Sequence, residues 1–119
     1  MFRKNMPFIS IIIIAALLTS CSSTPTPSVP NYSIVGTQGS FHLVVIDKSL
    51  DSDKEGLRTV ANDICKDQNI CIVIFWDDPN NAAHSLPMTD EQVNTRVAAY
   101  NLNESTGLDR LLICSIDGC

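Results

Sequence analysis

The chain has 119 residues, 45% of them hydrophobic and 18% charged, and a formal net charge of −5 at pH 7. That length allows one small domain whose core is marginal unless cross-linked. The acid excess excludes nucleic acid as a natural partner, because neutralising phosphates takes Lys and Arg.

Arg3 and Lys4 precede an apolar block, Phe8 to Leu18, interrupted only by Ser10. This is a signal-peptide core in length and flank. It falls short of the roughly 20 apolar residues of a spanning helix. The block ends Leu18-Thr19-Ser20-Cys21, an aliphatic residue, two small residues and a cysteine, which resembles the bacterial lipobox. The resemblance implies a diacylglyceryl group on the Cys21 thiol, cleavage before Cys21, and acylation of the new amino terminus with palmitate-like chains. Residues 1–20 are then a lipoprotein signal peptide and Cys21 is the membrane anchor. Each buried methylene contributes about 0.8 kcal/mol, so several chains hold durably. In enterobacteria-like lipoproteins, a residue other than Asp after the cysteine implies export to the outer membrane, facing the periplasm; here it is Ser22. An ordinary cleaved secretory signal is the alternative. Losing Arg3 and Lys4 leaves six basic residues against thirteen acids, a formal −7, so acyl chains and not charge must hold the membrane.

Residues 21–30 are Ser/Thr-rich with Pro25, Pro27 and Pro30, and read as an extended tether. Residues 31–119 then form a single small α/β domain. Its four cysteines, Cys65, Cys71, Cys114 and Cys119, are an even number in an exported chain and point to disulfides, with three possible connectivities. Cys65–Cys71, which joins neighbouring elements, is the preferred pair and leaves Cys114–Cys119. No zinc-ligand spacing is present.

Within the domain, Tyr32–Val35 has the makings of an edge strand, and "FHLVVID" (41–47) reads as a strand. In "DSDKEGLRTVANDIC", Leu57, Val60, Ala61 and Ile64 share one helical face, and Ser52 with Glu55 fits a capping box. "ICIVIFW" (70–76) reads as a strand buried on both faces. Thr89 with Gln92 repeats the capping-box pattern, and Val93, Val97 and Tyr100 continue a helical stripe that ends by Gly107. "LLICSI" (111–116) reads as the last strand. The order β-α-β-α-β implies a mainly parallel sheet of three strands, four with the edge strand, and two helices. So small a sheet leaves one face partly open, a first candidate for a partner surface.

In a parallel sheet the strand ends converge on one edge, where ligands bind. Those ends carry Asp47, Asp77, Asp78 and Asp117, weak candidates for a cation site that loosely resemble the acidic pocket of phosphoryl-transfer domains. Asp in turns and helix caps explains them equally well. "DSDKEG" (51–56) matches the first half of a calcium loop, but Asn62 stands where the bidentate Glu belongs. His84 and Ser85 lie near Asp77 without a supporting catalytic motif. Trp76, His84, Tyr100, Asn101 and Asn103 are the candidate partner contacts.

"ICKDQNICIVIFWDD", "PMTDEQVNTRVAAYN" and "NESTGLDRLLIC" together resemble a family of small bacterial lipoproteins of undefined function. The resemblance implies a non-enzymatic domain and transfers no activity. The expectation is an envelope binding or assembly module with a protein partner and no cofactor. Two alternatives stand: an inhibitor or immunity-type lipoprotein that inserts the loop 77–86 into a cell-wall hydrolase or toxin, and a cation-dependent hydrolase using the aspartate edge.

Overall fold

The computed structural model describes residues 28–119. The expected signal peptide (residues 1–20), the expected anchor Cys21 and the first part of the expected tether, to residue 27, lie outside the described residues.

The domain is a five-stranded mixed sheet with three helices. In chain order the elements are β1 (Tyr32–Gln38), β2 (Phe41–Ile46), α1 (Lys54–Cys65), β3 (Ile70–Trp76), α2 (Asp90–Thr95), β4 (Ala98–Asn103), β5 (Leu108–Ile113) and α3 (Cys114–Asp117). A 3-10 turn, Lys48–Leu50, links β2 to α1. The strands lie in sequence order, and only β2 and β3 are parallel. The sheet is therefore mostly antiparallel, which corrects the mainly parallel expectation.

Two misread segments account for that correction. Thr89 and Gln92 do form a capping box, with both reciprocal hydrogen bonds, but the helix stops at Thr95 and buries no residue. Beyond it Ala98 and Tyr100 are buried while Ala99 and Asn101 are only partly so, and this period of two lets β4 pair with β3. The stretch 101–107, expected to end the helix, is the end of β4 followed by a hairpin loop at 104–107; Asn103 Oδ1 accepts from the Ser105 amide at 3.1 Å, an Asx turn. β5 pairs back on β4 and ends at Ile113, three residues before the expected strand end. The second hairpin, β1–β2, turns at Gly39, whose φ of 59° is left-handed and suits glycine.

Helix α1 forms where its stripe predicts. Its N-cap is Asp53, which accepts from the Gly56 amide at 3.0 Å, so Ser52 and Glu55 do not make the expected box. Leu57, Val60, Ala61 and Ile64 pack on Val44, Val73, Phe75, Tyr100, Leu111 and Ile113 of one sheet face. Burying each such aliphatic side chain contributes about 1.5–3 kcal/mol. Disulfides join Cys65 to Cys71, between α1 and β3, and Cys114 to Cys119 beside α3. The first ties the helix to the central strand next to this core.

The opposite face is covered by a loop rather than a helix. Residues 77–89 lay Ala82, Ala83, Leu86 and Met88 against Leu43, Ile74 and Trp76. The loop is pinned by the Leu86 amide donating to Gln38 Oε1 at 3.1 Å. Just beyond it, Trp76 Nε1 donates to the Gln92 carbonyl at 2.9 Å. At Gly36 a Cβ would stand 2.3 Å from the His84 carbonyl oxygen, so the loop can sit on β1 only because that position lacks a side chain.

Candidate functional site

Two regions stand out. The first is the edge where β2, β3 and β5 end. Because β4 runs antiparallel to both neighbours, β5 points the same way as β3, and Asp47, Asp77, Asp78 and Asp117 follow three strand ends at one edge. Most of these carboxylates have local backbone work. Asp47 Oδ1 accepts from the Ser49 amide, which holds its carboxyl below the usual range. Asp78 Oδ1 accepts from the Asn80 amide at 2.9 Å, and Asp117 Oδ2 from the Ile113 amide at 2.9 Å. Among the described residues no group of three or more His, Cys, Asp or Glu side chains is arranged to hold a metal ion. In the calcium-like stretch, Asp53 is spent on capping α1.

The exception is Asp51. Burial and the facing Asp77 carboxyl push it up from 3.8 to about 6, with Lys48 working the other way. Its Oδ1 is buried without a hydrogen-bond donor. Two ionised carboxylates can only accept, so Asp77 cannot satisfy Asp51 unless a proton lies between them. Next to Asp51 is a cavity of about 290 Å³ lined by Asp51, Ser52, Arg96, Val97, Cys114 and Ser115. Arg96 contributes a second buried orphan, its Nε, and makes no ion pair among the described residues. The rim is tied by Ser52 Oγ and Ser115 Oγ at 3.2 Å. Sequence reading missed Asp51 and Arg96 as partners of one site, because only β5 and α3 bring the third wall round to them.

The second region is the half of the sheet face that the 77–89 loop leaves bare. Register sets Ile70, Asn103 and Leu108 in one row, and Phe41, Ile72, Asn101 and Arg110 in the next. Ile70 is 49% exposed and Leu108 45%. Leu112 and Ala99 continue the face as half-buried neighbours of Ile74. This is the partly open face, with polar Asn and Arg set among aliphatic side chains. The alternation in "LDRLLI" marks Leu108, Arg110 and Leu112 as one face, a signal hidden by starting the strand at 111.

The expected partner contacts divide. Asn101 and Asn103 sit on the open face, and His84 is exposed on the covering loop. Trp76 and Tyr100 are 0% and 1% exposed and offer a partner no surface. Tyr100 faces α1 instead: Arg58 lies 5.7 Å over its ring and bonds Asp109 at 2.8 Å. Within the 77–86 segment Ala82 and Ala83 are buried against the sheet, while Asn80, His84 and Ser85 are exposed. Nor do His84 and Ser85 form a triad: both are exposed on that loop, and neither side chain is held by a hydrogen bond among those of the described residues.

Compared with known proteins, the chain matches no family model, no curated protein and no solved structure. The two disulfides fit an extracytoplasmic location. Among the described residues no helix is long and apolar enough to cross a membrane.

Proposed function

We propose that the protein is a lipoprotein, anchored through Cys21 to the outer membrane on its periplasmic side, whose domain is a non-enzymatic binding or assembly module for one envelope protein. The observation that carries this reading is the bare half-face, where exposed Ile70 and Leu108 flank Asn103 in one row. A monomer gains nothing by leaving such side chains in water when a loop already covers the other half. Aliphatic residues with Asn and Arg among them match the mixed composition of a protein-protein contact. The lipobox supplies the anchor, and the proline-rich segment the reach.

The experiment is chemical cross-linking in cells with the full tagged chain, comparing wild type with Ile70→Glu/Leu108→Glu. Both positions are exposed, so the variant keeps its fold, checked by Trp76 fluorescence. A discrete wild-type adduct that disappears in the variant supports the module; the same adducts in both sinks it. Intact mass of the membrane-extracted protein tests the anchor separately: a Cys21 amino terminus without acyl mass contradicts it.

A further inference from the structure

β5 is the last strand of the sheet, so one side of its backbone has no strand beside it. One hydrogen bond fixes which groups lie on that side. The Cys114 amide donates to the Val97 carbonyl at 2.9 Å, and this pair continues the β4–β5 register. Bonded and non-bonded pairs alternate in an antiparallel ladder. Leu108, Arg110 and Leu112 therefore bond β4, while Asp109, Leu111 and Ile113 turn their backbone groups outward. The Ile113 amide agrees: it donates to the Asp117 carboxylate at 2.9 Å instead of to a strand. Among the described residues neither the Asp109 nor the Leu111 amide has such a partner. The edge is exposed from Leu108 to Arg110. The other edge, β1, is broken by a bulge between Ile34 and Gly36, a common guard against strand addition, whereas β5 runs without one.

What could lie beside β5 is restricted by charge. A second copy fails in each register that uses the outward groups. Pairing Asp109 with itself opposes two carboxylates, and pairing Asp109 with Leu111 opposes Arg110 to Arg110. Pairing Leu111 with itself calls on the Ile113 amide, which Asp117 already holds. The chain's own N-terminal segment enters at the far edge through β1, and residues 1–31 contain no acid. An acid is what this edge lacks. Arg110 is exposed on the bare face between Leu108 and Leu112 and makes no ion pair among the described residues. Asp109 lies on the other face, held by Arg58 at 2.8 Å.

We propose that β5 takes up an extended segment of the envelope partner as an antiparallel sixth strand, with an acidic side chain over Arg110 and apolar ones over Leu108 and Leu112. Main-chain pairing supplies the affinity and the alternate side chains the selection. The inference rests on the binding-module reading and gives the form of its contact.

The test is NMR on the full-length chain, ¹⁵N-labelled in detergent micelles, titrated with the peptide acetyl-TVTETVT-amide. Saturable shifts of the Asp109 and Leu111 amide signals are expected, with slowed exchange against solvent. Methylating the nitrogens of the two threonines beside the glutamate should weaken binding at least about tenfold, and methylating the glutamate nitrogen should not. Lysine in place of the glutamate should weaken it by a similar factor, and Arg110→Glu should reverse that preference. Equal binding by the two methylated forms would overturn strand addition. So would the absence of saturable shifts at Asp109 and Leu111 up to roughly 10 mM peptide. A cell adduct without peptide pairing removes the strand and leaves the module; peptide pairing without a cell adduct removes the module and leaves the strand site.

Discussion

Asp51 is a residue whose protonation bears on the stability of the fold. Its carboxyl is raised from 3.8 to about 6, so the folded protein holds that proton more tightly than the unfolded chain does. Its contribution to stability is complete below about pH 4 and is lost as pH rises through 6. The groups around it are Asp47, Lys48 and Asp77. Carboxylates lowered by their partners, Asp47, Asp63 and Asp109, act in the opposite sense and at pH values below 4. Asp51→Asn is therefore expected to stabilise the protein at pH 7.5, by roughly 1 kcal/mol after discounting for solvent, and to leave it nearly unchanged at pH 4. Thermal melts of both proteins at the two pH values check this. Tyr100 makes a second residue-level test. Burial, with Asp109 beside its hydroxyl, raises it to about 12, and Arg58 shares that Asp109. Tyr100→Phe should cost only about 1 kcal/mol in urea unfolding, because Asp109 keeps Arg58.

At the scale of elements, the loop 77–89 does a helix's work on one sheet face, and Gly36 is its seat. Gly36→Ala drives a Cβ into the His84 backbone, so the loop must lift. A loss of at least about 2 kcal/mol is expected, with red-shifted Trp76 emission, whereas exposed Thr37→Ala should be near neutral. The same region explains what could be read from the sequence. β2, α1 and β3 were legible because each has one dominant period: a β-branched run at 41–46, a helical stripe at 57–64, a continuous apolar run at 70–76. β4 was not, because Val93, Val97 and Tyr100 satisfy a helical spacing while Ala98, Tyr100 and Leu102 satisfy a strand spacing. Pairing with β3 decides between them, and no local pattern records that. At the candidate site, Asp47, Asp77, Asp78 and Asp117 do follow strand ends at one edge, but because β4 runs antiparallel between β3 and β5, not because the whole sheet is parallel. Asp51 and Arg96 were invisible as a pair, since they lie 45 residues apart and meet only around a cavity closed by α3.

For the whole molecule, the disulfides and the two faces set how it behaves. Cys65 and Cys71 are 4% and 0% exposed, whereas Cys119 lies at the surface. Mild reduction followed by alkylation and mass spectrometry should label Cys114 and Cys119 well before Cys65 and Cys71. Early labelling of Cys71 would contradict the packing of α1 on β3. One sheet face is thus closed by α1 and cross-linked, and the other is half closed by a loop and half bare. In the proposed function that bare half is where the anchored chain meets its envelope partner. The most direct measurement places a photo-reactive side chain at Asn103, between Ile70 and Leu108 in the end row of the bare half, and another at Asn62, exposed on α1, and irradiates living cells. A single adduct from position 103, absent from position 62 and lost when Leu108 becomes Glu, is the predicted result. Equal adducts from both positions, or none from 103, would contradict it.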